Sequence, residues 1–104
     1  MNTFAEQGTV IWLPEEKLLA LVVSKDFFNA TGLSVVCPVV RRAELDALHL
    51  PVMVGVEEFI VLCEHIKTLD LRSRFYQTRG SISFESLQEA VDMVQSIFDY
   101  YPFG

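Results

Sequence analysis

Apolar positions fall in short runs divided by polar, glycine or proline breaks, and the period inside each run predicts an element. Thr9-Val10-Ile11-Trp12-Leu13 is β-branched and aromatic, Pro14 to Lys17 interrupts it, and Leu18 to Val23 resumes as an apolar run. That order reads as two strands of a hairpin. Ser24 to Thr31 mixes polar residues with Phe27 and Phe28 before Gly32, which predicts a short helical turn or compact loop leading into a strand over Leu33 to Val40. Pro38 lies near the end of that strand, where it suits an edge or a bulge better than a central ladder. Residues 41 to 48 read as a surface loop with at most one helical turn. His49 to Val54 and Glu57 to Ile66 read as a strand pair around Gly55, with Phe59, Val61 and Cys63 on one face. Leu69 to Arg74 is expected to turn, Phe75 to Arg79 to form a further strand, and Gly80-Ser81 to break it.

A helix is predicted from Ser83 as N-cap, with Glu85 placed to complement the helix dipole in the first turn. Its apolar stripe is Leu87, Ala90, Val91, Val94, Ile97 and Phe98. Several short strands followed by one helix describe a mainly β, α+β domain, a small and strongly bent barrel with a C-terminal helix.

The chain has 104 residues, the size of one domain, so residues 1–104 are expected to share one core. Hydrophobic residues make up 51% and charged residues 21%, which argues against disorder. The run Leu18 to Val23 is far short of the roughly 20 residues that a membrane crossing needs, and no basic, signal-like segment opens the chain. A cytoplasmic location is the default expectation. Cys37 and Cys63 sit in β-branched runs without metal-like spacing, so buried free thiols are expected and no metal site is legible. The net charge of −6 opposes phosphate on average, although a local basic patch could still hold RNA; it fits a basic protein partner equally well.

Five segments carry a resemblance. Gly8-Thr9-Val10-Ile11-Trp12-Leu13 resembles the opening G-D-I-V-W-V of MazF/PemK toxins, and Ala20-Leu21-Val22-Val23-Ser24 their R-P-A-L-V-L-S strand. Phe28-Asn29 with Thr31-Gly32-Leu33 is similar to F-N-x-x-T-G-L, and Val35-Val36-Cys37-Pro38-Val39 to V-V-V-P-V-T. Cys63-Glu64-His65-Ile66-Lys67-Thr68-Leu69-Asp70 is similar to C-D-Q-x-R-T-I-D. The resemblance implies an SH3-like, CcdB-like barrel, a homodimer, an antitoxin partner, and an endoribonuclease that cuts single-stranded messenger RNA without a metal or other cofactor. In such a reaction a base takes the 2′-OH proton, an acid protonates the leaving 5′ oxygen, and a cation stabilises the phosphorane.

The chain departs from the pattern where that chemistry is placed. Leu18-Leu19 replace the Arg-Pro pair, Val40 stands at the Thr position, and the first loop shrinks to Pro14 to Lys17. Glu64, His65 and Lys67 remain as catalytic candidates, with Arg41, Arg42, Ser24 and Asn29 as candidate RNA contacts. As strand neighbours, Glu64 and His65 would face opposite ways, and the alternative is a turn-capping or ion-paired Glu64 beside a surface His65. Trp12 and the phenylalanines near it read most simply as core. The tail from Phe98 to Gly104 either folds back on the barrel or presents a contact patch; its aromatic and terminal glycine are similar to the end of the gyrase poison CcdB. Two functions stay open, the RNA-cleaving toxin and a non-catalytic toxin-like module that binds an antitoxin or a protein target.

Overall fold

The computed structural model describes residues 3 to 98. Its strands are β1 (Thr9–Leu13), β2 (Leu18–Val22), β3 (Leu33–Val40), β4 (His49–Val54), β5 (Glu57–Leu62), β6 (Lys67–Asp70) and β7 (Gln77–Ser81). A one-turn helix α1 (Asp26–Asn29) precedes β3, a 3-10 turn (Leu71–Ser73) follows β6, and α2 (Phe84–Ser96) closes the described chain. The strands form one curled sheet in the order β4-β5-β3-β2-β1-β7, with β6 also on β3. The mainly β architecture with a C-terminal helix is the one the sequence predicts.

The apolar run of β2 has a simple cause, because both of its faces are covered. Leu19, Leu21 and Val23 join one apolar cluster with Val10, Cys37, Val39 and the inner face of the β4-β5 hairpin. Leu18, Ala20 and Val22 join a second, with Ile11, Leu13, Val36 and Leu71. α2 lies over the first cluster through Leu87, Ala90, Val91 and Val94. Ser83 caps it, its hydroxyl accepting from the Ser86 N–H at 3.1 Å. Ile97 and Phe98, placed on the same stripe by periodicity, are exposed instead. The helix ends at Ser96, so its apolar spacing outruns the surface it packs on.

Pro38 corrects the expectation of an edge strand. β3 is the centre of the sheet, bordered by β2 on one side and by β6 and β5 in succession on the other. Pairing with β6 ends at Val36 and pairing with β5 begins at Val39, so Pro38 stands at the handover, where neither ladder calls on an N–H.

Further boundaries move. β5 stops at Leu62, residues 63 and 64 form a turn, and the expected turn from Leu69 begins inside strand β6. Glu64 and His65 are therefore not strand neighbours. The last strand runs over Gln77–Ser81 rather than Phe75 to Arg79, and Gly80 is part of it. Gly80 is needed there because a Cβ would come within 2.8 Å of Val54 Cγ1. β4 and β7, the two ends of the strand path, thus approach each other where the Val54 side chain faces the Gly80 backbone, and the sheet becomes a half-barrel.

Candidate functional site

The β1-β7 register shifts between Val10 and Ile11, whose partners are Gly80 and Thr78. Arg79 is the extra residue of this bulge, and bulges re-aim side chains. Its guanidinium lies 5.8 Å above the Trp12 ring. Across the same concavity the Arg41 guanidinium lies 4.8 Å over the Phe59 ring and meets Glu57 Oε2 at 2.5 Å. Between the two pairs runs a groove of about 480 Å³, floored by Val10, Leu19, Val39 and Val54. Each Arg thus stands over an aromatic ring, an arrangement in which cation and ring attract. Trp12 is half-buried as one wall of the groove, and Phe27, Phe75 and Phe84 are exposed, so these aromatics are not core; among the described phenylalanines, Phe59 is the buried one.

Of the residues nominated from sequence, Arg41 alone lines this groove. Arg42, His65 and Lys67 are exposed, and Glu64 lies past the far end of β5. Leu18 packs into the second cluster, on the opposite face of β2 from Leu19, while Val40 is half-buried and pairs with Ile60. Ser24 and Asn29 tie α1 to β3. The Asn29 amide donates to the Ser24 carbonyl at 2.9 Å, its oxygen accepts from the Ser24 and Ser34 hydroxyls, and Ser24 Oγ accepts from the Val35 N–H at 2.9 Å.

Glu64 has a partner that the sequence reading passed over. His49 Nε2 lies 2.7 Å from Glu64 Oε2, and Nδ1 lies 2.5 Å from the Glu44 carbonyl oxygen. A carbonyl and a carboxylate both accept, so this arrangement favours the protonated ring, in which both nitrogens donate. The bond to the Glu44 carbonyl raises the His49 pKa above its ordinary value against partial burial, helped by Glu64 and Asp46. The signal was present: counting outward from the turn at residues 55 and 56 sets His49 opposite Leu62, two residues from Glu64.

Asp46, His49 and Glu64 offer ligand atoms within 4.8 Å of one another. Asp46 sits 3.5 Å from Nδ1, however, and Glu64 sits on Nε2, so the two carboxylates flank different ring nitrogens. Cys37 and Cys63 are buried free thiols. Burial pushes Cys37 up to about 12 and Cys63 up to about 11, so both stay protonated at neutral pH and neither is a ready nucleophile.

The sequence profile of the family described as PemK-like, MazF-like toxin of type II toxin-antitoxin system matches residues 6–98. Among solved structures, a chain of MazE-MazF (Form-I) from Deinococcus radiodurans superposes with a TM-score of 0.81 at 29% identity, covering 93% of this chain and 98% of that one. Form-III of the same complex gives 32% identity and a TM-score of 0.76, covering 91% and 96%. An endoribonuclease from mycobacterial species shares the fold, with a TM-score of 0.78 and 98% of each chain covered at 16% identity. No curated protein sequence matches the chain.

Proposed function

The chain belongs to the PemK-like, MazF-like toxin family of type II toxin–antitoxin systems, and from that premise we propose that it cuts single-stranded RNA, without a metal, at the groove between Trp12 and Phe59. The observation that carries this reading is the pair of Arg-over-aromatic contacts on the two sides of an apolar floor. A single strand of RNA offers what such a groove can take: a flat base for the half-buried Trp12 ring and phosphates for the guanidinium groups. The net charge of −6 gives no long-range attraction, so recognition depends on these local contacts.

The MazE-MazF complexes from Deinococcus radiodurans support an antitoxin as the natural partner, and family membership supports a homodimer as the working unit. Action on messenger RNA would put the protein in the cytoplasm. No helix among the described residues is long and apolar enough to cross a membrane.

The direct test incubates the purified protein with a long single-stranded RNA in EDTA. Cleavage is the expected outcome, and intact RNA at a stoichiometric protein concentration would overturn the reading. A second reading, a non-catalytic module that binds a protein, is favoured by Leu18, which fills an apolar cluster where the family resemblance calls for Arg. Tight binding of an antitoxin peptide together with intact RNA would select it.

A further inference from the structure

We propose that Glu57 is the general base of the cleavage and that Arg41 holds the phosphate beside it; this rests on the groove being the RNA site. Among the residues lining the groove, three carry charge: Arg41, Glu57 and Arg79. Among the described residues, Glu57 is therefore the one carboxylate positioned to take a proton there. The positions that the resemblance assigns to Arg and Thr hold Leu18 and Val40, neither of which lines the groove. Both ring nitrogens of His49 are already engaged, by the Glu44 carbonyl and by Glu64. His49 also stands at the other end of the β4-β5 hairpin, about 17 Å away along the strand at roughly 3.3 Å per residue.

The geometry of the pair suits the step. Glu57 opens β5 opposite Val54, at the lip of the groove, with about half of its side chain exposed. Its Oε2 receives the Arg41 contact at 2.5 Å, while Oε1 has no hydrogen bond among the described residues and is free to accept. Arg41 is held in place by the Phe59 ring and by Glu57, and one of its five N–H donors is engaged. The others remain for a phosphate, which would lie next to the carboxylate.

In the step itself the ribose 2′-OH gives its proton to Glu57 Oε1, and the 2′ oxygen forms a bond to phosphorus. The bond from phosphorus to the 5′ oxygen breaks, and that oxygen takes a proton from water. Glu57 then returns its proton to solvent. The products are a 2′,3′-cyclic phosphate and a 5′-hydroxyl, and no oxidant or metal is needed.

The test compares the parent with Glu57→Gln, Glu57→Asp and Glu58→Gln. Glu58, the adjacent carboxylate, lines a different cleft with Pro51 and Ser83 and serves as the control. Three quantities are read: the single-turnover cleavage rate in EDTA, the affinity for a 2′-O-methyl oligonucleotide that cannot be cut, and the thermal midpoint. Glu57→Gln should cleave about 100-fold or more slowly, the usual scale of general-base catalysis. Its affinity should be equal or tighter, since a negative charge leaves the groove, and its midpoint should hold because the Arg41 pair is solvent-exposed. Glu57→Asp should recover part of the rate, and Glu58→Gln should match the parent. Cleavage by Glu57→Gln at the parent rate would overturn the assignment. So would a loss of rate matched by an equal loss of affinity, which would make Glu57 a strut for Arg41. A parent that leaves RNA intact would overturn the RNA-cleavage reading and this inference together, whereas the first two outcomes leave that reading standing.

Discussion

At the scale of single residues, His49 carries the clearest pH dependence. Its folded-state pKa is raised by the Glu44 carbonyl and by Glu64 and Asp46, so the stability it contributes is complete below the unfolded value near 6.5 and is lost as pH rises through the folded one. The thermal midpoint should therefore fall as pH is raised from about 6 towards 8, and His49→Gln should flatten that slope. An unchanged slope in the variant would mean that the ring does not hold the loop before β4 in this way. Residue identity alone pointed elsewhere, to His65, because sequence neighbours are visible and cross-strand neighbours are not. Glu57 and Arg79 were missed for a related reason. Each gains its role only when β1, β3, β5 and β7 come side by side, and nothing local to Glu57-Glu58 marks the first as the one facing the groove.

At the scale of elements, the motifs that made the family legible serve the fold. Asn29 is buried, and its side chain joins Ser24 and Ser34 beneath α1. Asn29→Ala should cost about 1–3 kcal/mol in a urea titration, because buried hydroxyls lose their partner; a change below the error of the titration would show that the knot relaxes freely. Asp70 caps the 3-10 turn by accepting from the Arg72 N–H at 3.0 Å, and the Arg72 side chain holds its carboxyl below the usual carboxylate range. Arg72 in turn lies over Gly32, where a Cβ would clash with its side chain, and the Leu71 N–H donates to the Gly32 carbonyl at 2.9 Å. The T-G-L and K-T-L-D segments are thus two halves of one joint. Their spacing is what the Leu71–Gly32 hydrogen bond and the close Arg72–Gly32 approach require. Helix α2 was equally legible from its cap and stripe. β6 was not, and β7 was expected two residues early, since short polar strands have no strong period and take their register from β3 and β1.

At the scale of the whole molecule, closure of the sheet depends on Gly80 passing close to Val54. Gly80→Ala should lower stability by about 1–3 kcal/mol, combining an unfavourable positive φ with the close contact. It should also weaken RNA binding, since the same bulge aims Arg79 over Trp12. Full stability with intact binding would show that β7 can shift without reopening the groove. The sheet also joins the ends of the chain: Ile11, near the start, pairs with Thr78. On the ribosome, where synthesis runs at ~5–20 residues per second, the stretch of roughly 65 residues between them takes about 3–13 s to emerge. Throughout that interval the outer edge of β1 has no partner of its own, and its N–H and C=O groups are open to any extended segment nearby. Translation speed between the codons for Ile11 and Thr78 therefore sets how long the nascent chain is exposed to mispairing with its neighbours.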